Sequence, residues 1–211
     1  MPTLYFRNGT CALAPHVVLE WIGAPYDAIP ARAGSEELLA LNPAGAVPVL
    51  REDDGWILTQ AGAILHYLVR KHPEAGLSGG SGLRAEAEAD RWSAFLTGDL
   101  HPAFYPVFLP GRYTTDPSDA AKAAVQEAAL ALVRKKLDLL EGQLGGGDWL
   151  LGTRSTLDAY ALPMLRWGRA RLPEGLGGWP GLAGLVERLE ADPAVARVLA
   201  VHRASAAAAK G

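Results

Sequence analysis

Cys11 has the clearest capacity for chemistry in this sequence, and it is the single cysteine among 211 residues. It stands where the short apolar run from Leu4 to Phe6 gives way to a helical spacing of apolar residues, so a helix begins close to it. Backbone N–H groups and the positive end of a helix dipole favour an anion at such a place. The position therefore predicts a thiol whose pKa lies below the free value of about 8.5.

A lone cysteine at a helix start is also compatible with a small buried packing residue. Gly9, two residues earlier, favours the reactive interpretation, because a flexible turn lets a ligand approach the backbone. No second cysteine follows in a Cys-x-x-Cys pattern, so a reactive thiol has no partner within its own chain. The partner would then be a small thiol or disulfide from solution.

A second feature is the proline inside the apolar run from Val47 to Leu50. Proline cannot donate to a sheet ladder, so we expect it at the first residue of a strand rather than in the middle. A cis bond between Val47 and Pro48 would leave the amide and carbonyl of Val47 free to pair with another extended chain. The alternative is an ordinary trans junction between a loop and a strand.

Gln60 opens another helical pattern, ten residues after the apolar run. A helix N-terminus beside an amide side chain suits a carboxylate ligand, with the N–H of Ala61 as the principal donor. The alternative is a plain capping role for Thr59 or Gln60.

Composition limits the classes of function. The formal net charge of -3 gives no electrostatic footprint for nucleic acid or an anionic membrane. No apolar run approaches the roughly 20 residues that span a bilayer, and the N-terminus shows no secretion signal. Together with the single cysteine, these features predict a cytoplasmic protein. The histidines at 16, 66, 72 and 202 have no ligand spacing and are interpreted as surface or packing residues, and we expect no metal site.

The first 72 residues read as strand, helix, strand, helix, strand, strand, helix. Ser35 is predicted to cap the short second helix, and Asp-Gly at 54 and 55 predicts a hairpin. The order indicates a small α/β layer with a mixed sheet, whose first two strands are parallel.

Residues 76–82 have the composition of a linker, and only helical patterns follow. One long helix is predicted from about Leu83. Asp116 is the candidate cap of a second, which carries Leu132 among its apolar residues. Ser155 and Asp158 read as a capping box, and the Ala-rich tail from 204 to 211 is expected to fray. The fold class is thus an α/β domain with a four-stranded mixed sheet joined to an all-α domain.

These motifs, in this order, resemble the glutathione transferases over nearly the whole chain. Val47-Pro48 resembles the family's cis-proline turn, and Gln60-Ala61 its glutathione-binding pair. The segments from Gly9 to His16 and from Asp99 to Phe104 are similar to those that hold the active-site cysteine and histidine of the bacterial beta class. The resemblance implies a thioredoxin-like glutathione-binding domain at 1–75, a linker at 76–82 and a helical domain at 83–211 that forms the cosubstrate pocket.

The resemblance also implies the role of each site residue, with glutathione as substrate and no metal. Cys11 and His101 would stabilise the glutathione thiolate as the catalytic pair. The substrate-binding residues would be Val47, Pro48, Gln60, Ala61, Asp99 and Trp167, with the aspartate serving either its own or a neighbouring subunit. An apolar electrophile bound near Phe104, Tyr105 and Phe108 would be the cosubstrate, and the protein would be a homodimer active in detoxification.

Departures from the class pattern leave alternatives open. Ala12 and Ala61 lack hydroxyl groups that are common there, Pro102 replaces a frequent lysine, and the role of Arg32 is undetermined. The leading hypothesis is conjugation of glutathione to electrophiles, with or without thiol-disulfide exchange through Cys11. The alternatives are a non-enzymatic carrier of apolar ligands and, less favoured, a scaffold that serves association only.

Overall fold

The computed structural model describes residues 1–208, and it begins with the predicted alternation of strands and helices. The elements of this first part are β1 (Thr3–Phe6), α1 (Leu13–Ile22), β2 (Asp27–Pro30), α2 (Glu36–Leu41), β3 (Val49–Arg51), β4 (Ile57–Thr59) and α3 (Ala61–Lys71). Ser35 caps α2 by accepting from the N–H of Leu38, as the sequence predicts.

The four strands form one mixed sheet in the order β2-β1-β3-β4. β1 and β2 are parallel, with Leu4 opposite Ala28, whereas β3 is antiparallel to both β1 and β4. Leu4 and Leu50 are paired across β1 and β3 and fully buried, because both point to the face that the helices cover. The predicted thioredoxin-like α/β layer is confirmed.

From there to residue 208, the structure contains only helical elements. They are α4 (Leu83–Phe95), a π-helical turn (Leu96–Leu100), α5 (His101–Ala103), α6 (Tyr105–Phe108), α7 (Asp119–Leu144), α8 (Thr156–Arg171), α9 (Pro180–Ala191) and α10 (Pro193–Ala208), with single 3-10 turns at Pro73–Ala75 and Pro110–Arg112. None of the helices described in residues 1–208 is both long and apolar enough to span a bilayer.

α1 joins the two parts of the chain. It packs against α8 and α10 on one side and against α3 and β1 on the other. Its residues from Leu13 to Leu19 are all buried, which is the pattern of a helix that is covered all round. The segment that follows Cys11 is therefore held by both parts of the molecule.

The contact between α1 and α10 contains two histidines. His16 Nδ1 lies 3.1 Å from His202 Nε2, and each residue is only 2 % exposed. The Phe6 ring lies 4.4 Å from the His202 ring between centroids, so the pair is enclosed by apolar surface. Burial lowers the pKa of His16 to about 4 and that of His202 to about 3. Both are neutral packing residues at pH 7, one donating a hydrogen bond to the other.

The structure corrects three details of the helical part. The cap of α7 is Ser118, not Asp116: its hydroxyl accepts from the N–H of Ala121. Leu132 is 45 % exposed, and its neighbour Val133 is buried instead. The last helix includes the Ala-rich residues up to Ala208, and the rest of the predicted tail lies outside the described residues.

The predicted capping box at the start of α8 is confirmed. Ser155 Oγ accepts from the N–H of Leu157, and the Asp158 carboxylate accepts from the N–H of Ser155 at 2.8 Å. The same carboxylate accepts from Ser155 Oγ and from the N–H of Leu150. Asp158 is fully buried, so its carboxylate fixes the loop before α8 from inside the core.

Candidate active site

A groove of about 930 Å³ lies between the edge of the sheet and the helical part. Seven of the predicted site residues line it: Cys11, Val47, Pro48, Gln60, Ala61, His101 and Trp167. They come from the β1–α1 loop, the loop before β3, the start of α3, α5 and α8. The fold thus brings distant stretches of sequence to one surface.

The edge of the groove includes an unpaired piece of backbone. The Val47–Pro48 bond is cis, as predicted, and β3 begins only at Val49. Among the described residues, neither the N–H nor the carbonyl of Val47 takes part in a backbone hydrogen bond. The carbonyl has only the Cys11 thiol near it, with Sγ at 3.9 Å. An extended peptide can therefore add to the sheet at this residue.

The next part of the groove is the N-terminus of α3. Gln60 has φ 71° and ψ 117°, an uncommon conformation for a residue with a side chain, and such strain clusters at functional sites. Its side chain makes no capping hydrogen bond, so the plain capping interpretation is wrong for Gln60. The first N–H groups of α3 lack backbone partners and are available to an anion.

Gly62 lets this helix end approach the helical part closely. A Cβ added at Gly62 would lie 2.7 Å from Thr97 Cγ2, which is too close for two carbon atoms. The N-terminal end of α3 is thereby packed directly on the π-helical turn that precedes His101.

Cys11 departs from its predicted chemistry. It lies before Ala12, the N-cap of α1, and it is half-buried beside the groove. Burial raises the pKa of the Cys11 thiol to about 11, against the lowering effects of its own backbone N–H and of Arg7. The predicted pKa below 8.5 is wrong, because loss of hydration costs a thiolate more than the nearby helix end returns. At pH 7 the group is a neutral S–H donor.

His101 is the first residue after the π-helical turn. Its Nδ1 lies 2.9 Å from the Tyr160 hydroxyl oxygen, and burial lowers the pKa of the imidazole to about 4. Among the described residues the Tyr160 hydroxyl has no other partner, so we assign it as the donor to Nδ1. That assignment puts the proton of the neutral imidazole on Nε2, where it can be donated to a ligand in the groove.

Tyr160 is a site residue that the sequence reasoning missed. It is 2 % exposed in α8, and its ring meets that of His101 edge to face at 6.0 Å between centroids. The sequence feature that could have indicated it is a tyrosine among the apolar residues of α8. A buried tyrosine hydroxyl needs a polar partner, and the one other polar side chain nearby, Asp158, is used by the capping box.

Trp167 ties the two parts together beside the thiol. Its indole Nε1 donates to the carbonyl of Gly9 at 3.0 Å, and its ring packs 5.2 Å from that of His101. Phe104 and Phe108 lie edge-on to the same indole, at 5.5 Å and 5.3 Å. The indole is therefore part of the wall between His101 and the apolar end of the groove.

Asp99 and Arg32, two further residues from the sequence analysis, lie outside the groove wall. Asp99 does not line the groove: it lies in the π-helical turn, and its carboxylate accepts from Lys136 Nζ of α7. Arg32 is exposed and is likewise absent from the groove wall. Within residues 1–208 no group of three or more His, Cys, Asp and Glu side chains is placed to hold a metal ion.

Comparison with known proteins gives consistent matches. Residues 14–76 match the family model of the glutathione S-transferase N-terminal domain, and residues 100–193 match that of the C-terminal domain. The chain is 38% identical over 200 residues to glutathione S-transferase GST-4.5 of Xanthomonas campestris pv. campestris, covering 93% of this chain and 96% of the relative.

Solved structures agree with this result. The glutathione S-transferase of Xylella fastidiosa superposes with a TM-score of 0.87 and 37% identity, over 96% of this chain and 98% of the other. A bacterial beta-class glutathione S-transferase of Sphingomonas chungbukensis gives 0.82 and 29% over 95% and 98%. A sphingomonad glutathione S-transferase complexed with glutathione gives 0.81 and 31% over 95% and 98%.

Proposed function

Because this chain belongs to the glutathione S-transferase family and is a glutathione transferase, we propose that its groove binds glutathione as an extended strand and delivers the sulfur to Cys11 and His101. The observation that carries this proposal is the unpaired backbone of Val47 in the same groove as both side chains. The backbone N–H and carbonyl of Val47, next to the cis bond to Pro48, pair with the backbone of the cysteinyl residue of the tripeptide. The γ-glutamyl carboxylate binds at Gln60 and at the N–H of Ala61.

In this proposal His101 is the main stabiliser of the glutathione thiolate. Its Nε2–H donates to the sulfur, and because the imidazole is neutral at pH 7, it stays a single-proton donor through the physiological range. The hydrogen bond lowers the pKa of the glutathione thiol, so that the nucleophile exists at neutral pH.

Cys11 is proposed to act as a neutral second donor. In the free protein the Cys11 S–H donates to the carbonyl of Val47, with 3.9 Å between Sγ and the oxygen. Glutathione would pair with this same carbonyl. Binding of the tripeptide then releases the S–H to the incoming sulfur. A raised thiol pKa favours this role over nucleophilic exchange, because thiolates and not thiols attack disulfides.

Replacement of Cys11 tests this role. We expect Cys11→Ala to lower kcat/KM for glutathione conjugation by about 30-fold, within the range for loss of one positioned proton donor. Cys11→Ser keeps a donor and should stay within about fivefold of the wild type.

Mass spectrometry after incubation with oxidised glutathione at pH 7 should show almost no adduct of about 305 Da. Rapid, stoichiometric modification of Cys11 would instead establish the exchange chemistry.

Tyr160 is proposed as a positioning residue for His101. We expect Tyr160→Phe to lower kcat about tenfold and to change the KM for glutathione less than about twofold, because the lost hydrogen bond orients the imidazole rather than the tripeptide. The matched control is Tyr26→Phe, which removes the hydroxyl of a half-buried tyrosine, bonded to Glu20 away from the groove. Equal kinetics in both variants, or a change confined to KM, would contradict the positioning role.

The remaining assignments extend the family membership. We propose that residues 1–75 bind glutathione, that 76–82 form a linker, and that 83–211 build the cosubstrate pocket around Trp167. Asp99 lies outside this chain's own groove, so a contact with glutathione would be made in a neighbouring subunit of a homodimer. We further propose a cytoplasmic enzyme of beta-class type that detoxifies electrophiles with a largely apolar body.

One experiment separates this function from the carrier hypothesis. Calorimetric titration with glutathione should give a Kd below about 1 mM, and conjugation to an aryl halide should be catalysed by the same preparation. Binding of apolar ligands with no glutathione binding and no turnover would favour the carrier instead.

A further inference from the structure

Two arginines of the groove wall have no acidic partner among the described residues. Arg7 and Arg171 both line it, and neither takes part in an ion pair with another residue of the described part. The only carboxylate on the wall is that of Asp90, which also borders a second cavity beside α3. Away from Asp90, the charged side chains of this wall are therefore positive.

The fold brings the backbones of both arginines close to one contact. Arg7 is two residues before Gly9, whose carbonyl accepts from the indole of Trp167. Arg171 is four residues after Trp167 and so lies on the same face of α8. Its Cζ lies 5.3 Å from the centroid of the Phe108 ring, so the guanidinium is stacked at the wall. Both arginines thus lie within four residues of the two ends of the Gly9–Trp167 hydrogen bond and line the same groove.

The groove surface next to Arg171 is apolar and open. Tyr105 is 45% exposed and Leu109 is 47% exposed, and both line the groove with Phe108. Uncovered aromatic and aliphatic surface beside unpaired cations suits a ligand with a flat apolar body and an anionic substituent. A purely apolar ligand would cover the rings and leave both charges without a counter-ion.

We propose that the cosubstrate of this enzyme is an electrophile that carries a carboxylate or similar anionic group, held by Arg171 and Arg7 against the Phe108 wall. The inference rests on the proposed function, because it names the second substrate of the same groove. In the reaction with an aryl chloride, the glutathione sulfur forms a bond to the ring carbon and chloride leaves with the electron pair of the broken bond. The thiol proton passes to solvent.

Glutathione itself offers a second source of the same chemistry, since its glycine residue ends in a carboxylate. The two sources are separated by ligands that share the tripeptide and differ only in the second part. The probes are the glutathione conjugates of para-chloro-meta-nitrobenzoate and of the corresponding benzamide, which have nearly the same shape and differ by one charge. Their ratio of dissociation constants cancels every contribution of the tripeptide.

Calorimetry of both conjugates with the full chain tests the proposal. We expect the carboxylate conjugate to bind about tenfold more tightly than the amide conjugate, and Arg171→Gln to reduce that ratio about fivefold. Arg171→Lys keeps the charge and should retain most of the ratio. Arg84→Gln, which removes an exposed arginine outside the groove, is the control for net charge. The ratio should also fall as salt is raised.

Each other outcome overturns the proposal. A wild-type ratio near one shows that the arginines do not recognise an anionic cosubstrate. An Arg171→Gln variant that weakens both conjugates and free glutathione equally assigns the arginine to the glycine carboxylate. If the protein binds glutathione and binds the two conjugates equally tightly, only this inference is contradicted. If it binds neither glutathione nor the conjugates, the proposed function is contradicted as well.

Discussion

Asp158→Ala is expected to lower the free energy of unfolding by about 4 kcal/mol, the largest effect of any single change considered, because it leaves two buried N–H groups without acceptors. Its carboxylate accepts from the N–H groups of Leu150 and Ser155 and from the Ser155 hydroxyl, all within 2.9 Å. Water cannot replace the lost acceptor, since Asp158 and Ser155 are both fully buried.

Urea unfolding at pH 7, followed by circular dichroism, measures this loss. Asp158→Asn keeps one carbonyl oxygen and should cost about half as much as the alanine variant. The matched control is Asp119→Ala in the first turn of α7, where the carboxylate is exposed and pairs only with Lys122. A surface pair of that kind contributes about 0.5 kcal/mol. Similar losses for Asp119 and Asp158 would refute the structural role of the capping box.

Acidification from pH 7 to pH 5 is expected to remove about 4 kcal/mol of stability through His16 and His202 together, about 2 kcal/mol for each. Burial lowers the pKa of His16 to about 4 and of His202 to about 3, from about 6.5 in the unfolded chain. Folded-state values below the unfolded value mean that the contribution is complete above pH 6.5 and is lost as the pH falls. Glu20 near His16 opposes the shift, and Arg166 near His202 adds to it.

His202→Gln separates the pH-dependent stability contributed by His202 from that of all other titrating groups. Denaturant unfolding of both proteins at pH 7 and pH 5 should show a pH-dependent loss that is about 2 kcal/mol smaller in the variant. His66→Gln is the control: His66 is exposed on the outside of α3, so its imidazole is solvated before and after unfolding. An acid-induced loss that is the same in wild type and His202→Gln would show that the buried pair does not control it.

Local chemistry made most of the fold predictable. Ser35, the Asp-Gly turn and the Ser155–Asp158 box each define an element end by hydrogen bonds between close neighbours, and the structure has all three ends where the sequence predicts them. The start of α7 was missed because Asp116 and Ser118 are both good caps two residues apart. Asp116 accepts from the N–H of Ser118 instead, and this contact leaves Ser118 to cap the helix.

The site was predictable in position but less so in chemistry. Cys11, Val47, Gln60 and His101 line one groove because the order of elements fixes where their loops meet. The pKa of the thiol depends on how much water remains around it, and that follows from packing between α1 and distant helices. For the same reason, the pairing of Tyr160 with His101 is a long-range contact that no local pattern indicates.

The wide turn before His101 sets the direction in which the imidazole points. The N–H of His101 donates to the carbonyl of Leu96, five residues back, so this span holds one residue more than an α-helix would. Side chains beyond it are rotated by about 100° relative to an unbroken helix. Closing the turn into an α-helix at constant chain length would therefore swing the imidazole out of the groove, whereas deleting the one extra residue between Phe95 and His101 would repair the helix and leave the imidazole in place. A homologue shortened by one residue here could keep its histidine at the same position of the groove without the wide turn.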